Sequence, residues 1–186
     1  MKRSKFIVLL LAAIPLAKFA KANAAIFNGG KGFKVKAGEG RLHGHIQLKG
    51  VNANIIDVKV SGRDTDGGLA IFEQTGMSPK RGTPLHVHHY QDEIFRVLEG
   101  EYYFQVGEEK HHLKTGDTIF LPSKVPHAWT QVSEIGKMTV IVQPAGKLED
   151  FFLTMAALKG DPSKDEIAKI FAANGMEVVG PPLELE

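Results

Sequence analysis

Short strand-like segments separated by turn residues make up most of this chain of 186 residues. Between positions 45 and 143, about ten segments alternate polar and apolar side chains or are rich in β-branched and aromatic residues. Glycine, proline and aspartate separate them, as at Glu99-Gly100 and at 107–109, where glycine supplies the positive φ of a tight turn. The series predicts an all-β sandwich or barrel. The predicted strands are 45–48, 55–60, 69–74, 85–88, 93–98, 102–106, 110–114, 118–121, 127–132 and 138–143.

The pattern becomes helical after Pro144. Two helices are predicted, over 148–159 and 162–174, and we expect both to pack against the exterior of the barrel, with partner binding as the alternative. Asp161 is expected to cap the start of the second helix, and Gly175 its end. The apolar stripe of that helix is predicted to comprise Ile167, Ile170, Phe171 and Met176.

The first 24 residues have the composition of an export signal. A cationic start at 2–5 precedes an apolar stretch over 6–17, and small residues at 20–24 offer cleavage points. The apolar stretch is shorter than the roughly 20 residues that span a bilayer. We therefore expect a secretory signal peptide over 1–24, a periplasmic or secreted protein, and no stable membrane span after cleavage, with an uncleaved anchor as the alternative. A flexible lead-in over 25–40, a barrel over 41–145 and a helical appendage over 146–186 would follow.

Cysteine content and charge exclude several classes of protein. The chain has no cysteine, which rules out a disulfide scaffold, a zinc–thiolate site and a thiol nucleophile. Its formal net charge is +2, but five of the 23 basic residues lie in the first 24 positions, which contain no acidic residue. The remainder carries 18 basic and 21 acidic residues, a balance of −3. A nucleic-acid binder normally has a clustered cationic face, so we expect no nucleic-acid partner.

Three histidines and one glutamate form the pattern that points to chemistry. His86 and His88 are two residues apart in a predicted strand, so both side chains leave the same face of the sheet. Glu93 opens the next strand, and His127 follows Pro126, which favours an extended conformation in the residue before it. Three imidazoles and one carboxylate suit Fe, Mn, Ni, Co, Cu or Zn as a divalent ion. This set differs from the sulfur-rich ligands of structural zinc.

The spacing of these residues resembles the two motifs of the cupin superfamily. Segment 82–100 is similar to the first motif, G-x5-H-x-H-x(3,4)-E-x6-G, and segment 116–131 to the second, G-x5-P-x-G-x2-H-x3-N. Three positions depart from the pattern. Only three residues separate Gly82 from His86, Lys124 occupies the place of the second glycine, and Gln131 that of the final asparagine. None of the departures removes a ligand residue, whereas the first two alter loops at the mouth of the barrel.

The resemblance implies a double-stranded β-helix, the jelly-roll barrel of cupins, here with two C-terminal helices. It implies one divalent transition metal per chain, held by His86, His88, Glu93 and His127. The tail beyond 151 looks like that of small cupins similar to quercetin 2,3-dioxygenase. Homodimers are common among such cupins. A metal-free barrel with hydrogen-bonded core histidines is the structural alternative.

A dioxygenase-type reaction on a small aromatic or enol, flavonol-like substrate is the function that the resemblance favours, with O₂ as co-substrate. Glu93 would serve as metal ligand and as catalytic base. Phe95, Trp129 and Gln131 are predicted to line the substrate pocket, the first two as its apolar wall and Gln131 as a donor that orients a ligand. The alternatives are a non-catalytic cupin that binds a metal or a small molecule, and a metal-dependent isomerase or lyase.

Overall fold

The computed structural model describes residues 31–185, which contain eleven β-strands and two α-helices. The expected export signal lies outside the described residues. Within them no helix is long and apolar enough to cross a membrane. The elements are β1 Leu42–Gln47, β2 Ile55–Val60, β3 Ala70–Gly76, β4 Pro84–His88, β5 Asp92–Glu99, β6 Glu101–Val106, β7 Glu109–Lys114, β8 Thr118–Leu121, β9 His127–Gln131, β10 Gly136–Gln143, α1 Leu148–Ala157, α2 Lys164–Ala173 and β11 Met176–Pro182.

The strands form two antiparallel sheets with the core between them. One sheet has the order β1-β2-β3-β10-β5-β8, and the other β11-β4-β9-β6-β7. Phe95 on β5 and Phe104 on β6 meet across the interior with their ring centroids 5.3 Å apart. The predicted all-β fold, a double-stranded β-helix with two C-terminal helices, is confirmed.

Alternating burial along the central strands decides which side chains reach this interior. On β3 every second residue is buried, and β10 follows the same alternation in register with it. Phe72, Val140 and Phe95 are therefore direct neighbours across β3, β10 and β5, all on the inner face. Because the side-chain period is two, this register also fixes which polar residues point inward.

The two helices close over one end of the interior, so the expectation that they pack on the barrel exterior is wrong. Phe151, Phe152 and Met155 of α1 and Phe171 of α2 are buried in the main core cluster. The ring of Phe152 lies 5.1 Å from that of Phe72 on β3. The apolar faces that the sequence predicted therefore face the inside of the barrel and complete its core.

The start of α2 also differs from the prediction. Ser163, not Asp161, is the N-cap: its hydroxyl accepts a hydrogen bond from the backbone N–H of Glu166, whose carboxylate accepts one from the N–H of Ser163. This reciprocal pair satisfies two helix-end donors at once, which a single aspartate before the proline would not do. Gly175 follows the helix with φ +80°, in agreement with its predicted role at the C-terminal end.

Strand β11 was not predicted. It pairs antiparallel with β4, placing Met176 opposite His88 and Val178 opposite His86. Met176 therefore belongs to this strand and not to the stripe of α2. Prolines at 181 and 182 argue against a central strand, but β11 is an edge strand, where a missing N–H donor is tolerated.

Candidate metal centre

Four side chains from both sheets converge inside the barrel. His86 and His88 come from β4, His127 from β9 and Glu93 from β5 of the opposite sheet. His86 and His127 are direct partners between β4 and β9. One ligand-type atom from each of the four residues lies within 4.8 Å of the other three, and every side chain is at most 5% exposed.

Each imidazole is held by a hydrogen bond on its Nδ1 atom. The Nδ1–H of His86 donates to the carbonyl of Pro84 over 2.8 Å, and that of His127 to the carbonyl of Val125 over 3.0 Å. Because a carbonyl only accepts, both rings carry their proton on Nδ1, which leaves the lone pair of Nε2 free. The carbonyl of the residue two positions earlier in the chain thus sets the tautomer of each ring.

His88 is oriented by a side chain, Gln91. Its Nδ1–H donates to Oε1 of Gln91 over 3.1 Å, while Nε2 of Gln91 donates to the carbonyl of Ala145 over 2.8 Å. The second bond fixes which end of the amide faces the histidine. Gly146, at φ +52°, permits the close approach, since a Cβ there would lie 2.4 Å from Nε2 of Gln91. A partner of this type keeps a metal-ligating ring in place.

The buried setting favours the protonation states that bind a metal. Burial, reinforced by the neighbouring His127 and His88, lowers the pKa of His86 to about 3, so its ring is neutral at pH 7. Burial alone would raise the pKa of Glu93, but the three histidines outweigh it and lower the pKa to about 2. A neutral imidazole and an ionised carboxylate are the ligand forms of these residues.

The geometry fits one divalent transition metal. Two ligand atoms on opposite sides of an ion, each about 2.1 Å from it, would be about 4.2 Å apart, so a cluster within 4.8 Å is close to the size of a coordination sphere. Nε2 of His127 lies 3.2 Å from Oε2 of Glu93, yet it is buried and no group between residues 31 and 185 forms a hydrogen bond with it. A buried polar atom without a partner is costly, and an ion at this point would satisfy it.

A cavity of about 60 Å³ adjoins the cluster and is lined by three of its residues, His86, His88 and Glu93. Phe95 and Trp129 line it, where the sequence placed them. Gln131 does not: its amide donates to the carbonyl of Ser133 over 2.8 Å, and its carbonyl oxygen lies against Gly76. The prediction that Gln131 contacts the pocket or orients a metal ligand is therefore wrong. Alternation correctly placed this residue inside the barrel, but it sits beside the 133–134 turn.

The helices and one loop close the cavity. Phe171 of α2 stands edge-on to His86 with their ring centroids 5.2 Å apart, and Phe151 and Phe152 of α1 line the same space. The loop at 48–52 completes the wall, and Nζ of Lys49 donates to the carbonyl of Leu158. The C-terminal part of the chain thus forms part of the cavity wall beside the cluster.

The remaining histidines do not join the site. The ring of His43 contacts Glu149 at 2.9 Å, and that of His45 contacts Asp57 at 2.7 Å. Among the described residues the four-residue cluster is the one group of three or more histidine and carboxylate side chains arranged to hold an ion.

Residues 75–142 match the family model of the cupin domain. This segment of the chain is similar to the cupin domain. The four buried residues lie within the matched segment, and so do both motifs, 82–100 and 116–131. The cupin resemblance is thereby confirmed, whereas the narrower likeness to quercetin 2,3-dioxygenase stays a prediction.

Individual relatives of the cupin domain match only part of the chain. An uncharacterized protein of Methanocaldococcus jannaschii is 39% identical over 56 residues, which are 30% of this chain and 42% of that protein. Among solved structures, KdgF from Halomonas sp. overlaps 49% of this chain and 78% of its own, with 20% identity and a TM-score of 0.44. A protein with a double-stranded β-helix domain from Klebsiella pneumoniae overlaps 53% and 84%, with 19% identity and a TM-score of 0.44.

Sequence reasoning missed several groups around the cupin site. Gln91 lies inside the first motif, between His88 and Glu93, so its position was visible in the sequence, but its burial and its bond to Ala145 were not. The aromatic residues of α1 and α2 were visible in the sequence only as part of a helical pattern. Such a pattern does not show which end of a barrel the helix covers. The roles of the Pro84 and Val125 carbonyls could not be predicted, because every residue has a backbone carbonyl and the sequence does not show which one accepts a hydrogen bond.

Proposed function

We propose that this cupin is a metal-dependent enzyme of the dioxygenase type, exported from the cytoplasm, that acts on a small enol or dione. The observation that carries the proposal is the buried set of three Nε2 atoms and one carboxylate beside an apolar cavity. A divalent transition metal bound there would supply a Lewis acid for an enolate oxygen and, if redox-active, a site for dioxygen. Four protein ligands leave one or two positions for these reactants.

Glu93 has the properties of the proton acceptor. Its pKa is lowered to about 2, so the carboxylate is ionised at neutral pH, and its Oε2 atom faces His127 and His88 at 3.2 and 3.7 Å. A substrate hydroxyl that enters the cluster would meet this oxygen first among the groups able to take a proton. The burial of Glu93 keeps competing water away from it.

The size of the cavity favours a substrate much smaller than a flavonol. Pockets for drug-sized ligands are roughly 300–1,000 Å³, several times the cavity of about 60 Å³ that adjoins the cluster. A flavonol would need α1 and α2 to move away from the barrel. A short enol or 1,3-dione needs no such movement, and its body would contact Phe95 and Phe152.

Oxygen uptake tests this function directly. The chain without residues 1–24, loaded in turn with Fe(II), Mn(II) and Ni(II), would be supplied with pentane-2,4-dione, longer 1,3-diones and quercetin. We expect at least one metal form to consume one O₂ for each dione, and quercetin to react poorly. His127→Ala should lose the metal, whereas Glu93→Gln should retain partial metal binding and lose turnover. His111→Ala, on the exposed strand β7, is the matched control.

Other outcomes would favour the alternatives. Dione binding without O₂ uptake in every metal form would contradict the dioxygenase and favour a binding protein. Isomerised or cleaved product formed under anaerobic conditions would favour an isomerase or lyase. Fractionation of the native host, with the protein retained in the cytoplasm, would refute export.

A further inference from the structure

One buried amide in the cavity wall has no partner. Gln74 on β3 is 4% exposed, and its Nε2 atom makes no hydrogen bond to any group in the described range 31–185. Other polar residues of the wall are engaged: the hydroxyl of Thr83 accepts from the N–H of Trp129, and Oδ1 of Asn52 accepts from the N–H of Asn54. A buried donor without a partner costs free energy, so its presence calls for an explanation.

The register places Gln74 on the same wall as the metal centre but well away from it. Ala70, Val142 and Glu93 are direct neighbours across β3, β10 and β5. Gln74 lies four residues further along β3, so it shares their inner face. At about 3.4 Å per residue and about 4.8 Å per strand, the Cα atoms of Gln74 and Glu93 are about 17 Å apart along the sheet.

The stretch of wall between Gln74 and Glu93 is apolar. Phe95 and Val140 occupy the register row between them, and both line the cavity. Phe152 of α1 lines the cavity too. The cavity therefore offers, in order, a set of metal ligands, an apolar middle and a hydrogen-bond donor.

We propose that Gln74 determines substrate specificity by donating a hydrogen bond from Nε2 to an oxygen at the far end of the substrate. The substrate would be a slender molecule with an enol or dione at the metal end, an apolar middle and a hydroxyl or carbonyl oxygen at the other. This inference rests on the proposed function, since it takes the metal centre as the first anchor. Gln74 touches the substrate only at a remote atom and takes no part in bond cleavage.

A ladder of paired probes tests the proposal. The protein is loaded with Co(II), and its visible absorption is followed during titration with pentane-, hexane-, heptane- and octane-2,4-dione and with the ω-hydroxy derivative of each. At one chain length the hydroxyl should reach Gln74 and tighten binding about five- to tenfold over the parent dione, the fold-change of one added hydrogen bond. Gln74→Leu should abolish that preference and leave the affinity for the parent dione within about twofold.

Two further variants keep the result interpretable. Gln74→Met also removes the donor but has a more flexible side chain than leucine. It should lose the preference for the hydroxyl just as Gln74→Leu does, which shows that the loss does not come from poor packing of one replacement. Gln47→Leu, on the exposed face of β1, should retain the preference of the wild type. Both cavity variants should unfold at the same or higher urea concentration than the wild type, because they remove a buried donor without a partner.

The outcomes separate this inference from the proposed function. If no dione changes the Co(II) spectrum of any variant, the metal centre does not bind enolates and the proposed function fails. If the diones bind but the hydroxyl has no effect at any length, or has the same effect in Gln74→Leu, the role of Gln74 is refuted while the metal site stands.

Discussion

Acid should destabilise the metal-free protein through His86. This ring is 5% exposed, and burial lowers its pKa to about 3, whereas an unfolded chain has a histidine pKa of about 6.5. Below pH 6.5 the unfolded chain therefore binds a proton that the folded protein excludes, and the free energy of unfolding decreases as the pH falls. One such group contributes up to about 1.4 kcal/mol per pH unit, or about 2 kcal/mol between pH 6.5 and 5.

Glu93 acts in the same direction but at lower pH. Its pKa of about 2 lies below the ordinary value of 4.5, so the stability that it contributes is present above pH 4.5 and is lost as the pH falls toward 2. Measurements between pH 7.5 and 5 therefore report His86 without a large contribution from this carboxylate.

Urea unfolding after removal of metal by a chelator, at pH 7.5, 6.5, 5.5 and 5.0, measures the effect. The wild type should lose about 2 kcal/mol more across this range than His86→Leu, whose side chain cannot take up a proton. His111→Gln, which changes a half-exposed histidine, should follow the wild type. If His86→Leu lost stability as steeply as the wild type, the ring of His86 would not be the group that excludes the proton.

Three other substitutions probe the surroundings of the site. Gln91→Leu should weaken Co(II) affinity about 10- to 100-fold in a competition titration with a chelator, because the ligand ring loses its orienting partner; unchanged affinity would contradict that role. Phe171→Ala should lower the free energy of unfolding in urea by about 3–5 kcal/mol. It should also allow bulkier diones to bind, and an unchanged limit on the size of the bound dione would show that α2 does not close the cavity. Gly50→Ala should lower the free energy of unfolding by about 1–3 kcal/mol, since Gly50 has φ +82° and a Cβ there would lie 2.8 Å from Pro162. Gly116→Ala, at φ +98° in open space, is its control, and an equal loss in both variants would rule out the clash.

The strands and the four ligand residues were predictable because their signals are local. A period of two puts His86 and His88 on one face whatever the rest of the chain does. The cupin motifs add Glu93 and His127 by fixed spacing. Burial then follows from alternation, as on β3 and β10, where every second residue faces the core.

The closure of the site was not predictable, because it depends on contacts between distant parts of the chain. Gln91 orients His88 only because the carbonyl of Ala145, 54 residues later, fixes its amide. The periodicity of α1 and α2 identified an apolar face but not the end of the barrel that it covers. For Gln131, the prediction that its side chain points into the barrel was right. Its position along the barrel axis could not be predicted, and at that position its amide bonds to the carbonyl of Ser133.

Strand β11 makes the order of synthesis matter for metal loading. Two of the four ligand residues lie on β4, and the outer neighbour of β4 is a segment made almost a hundred residues later. During translation β4 cannot gain this edge neighbour until residues 176–182 have been synthesised. If an ion binds the four residues only after this pairing, we expect the metal supply of the compartment in which the pairing takes place to decide which ion is bound, since intrinsic affinities rank the divalent ions in much the same order at most nitrogen and oxygen sites.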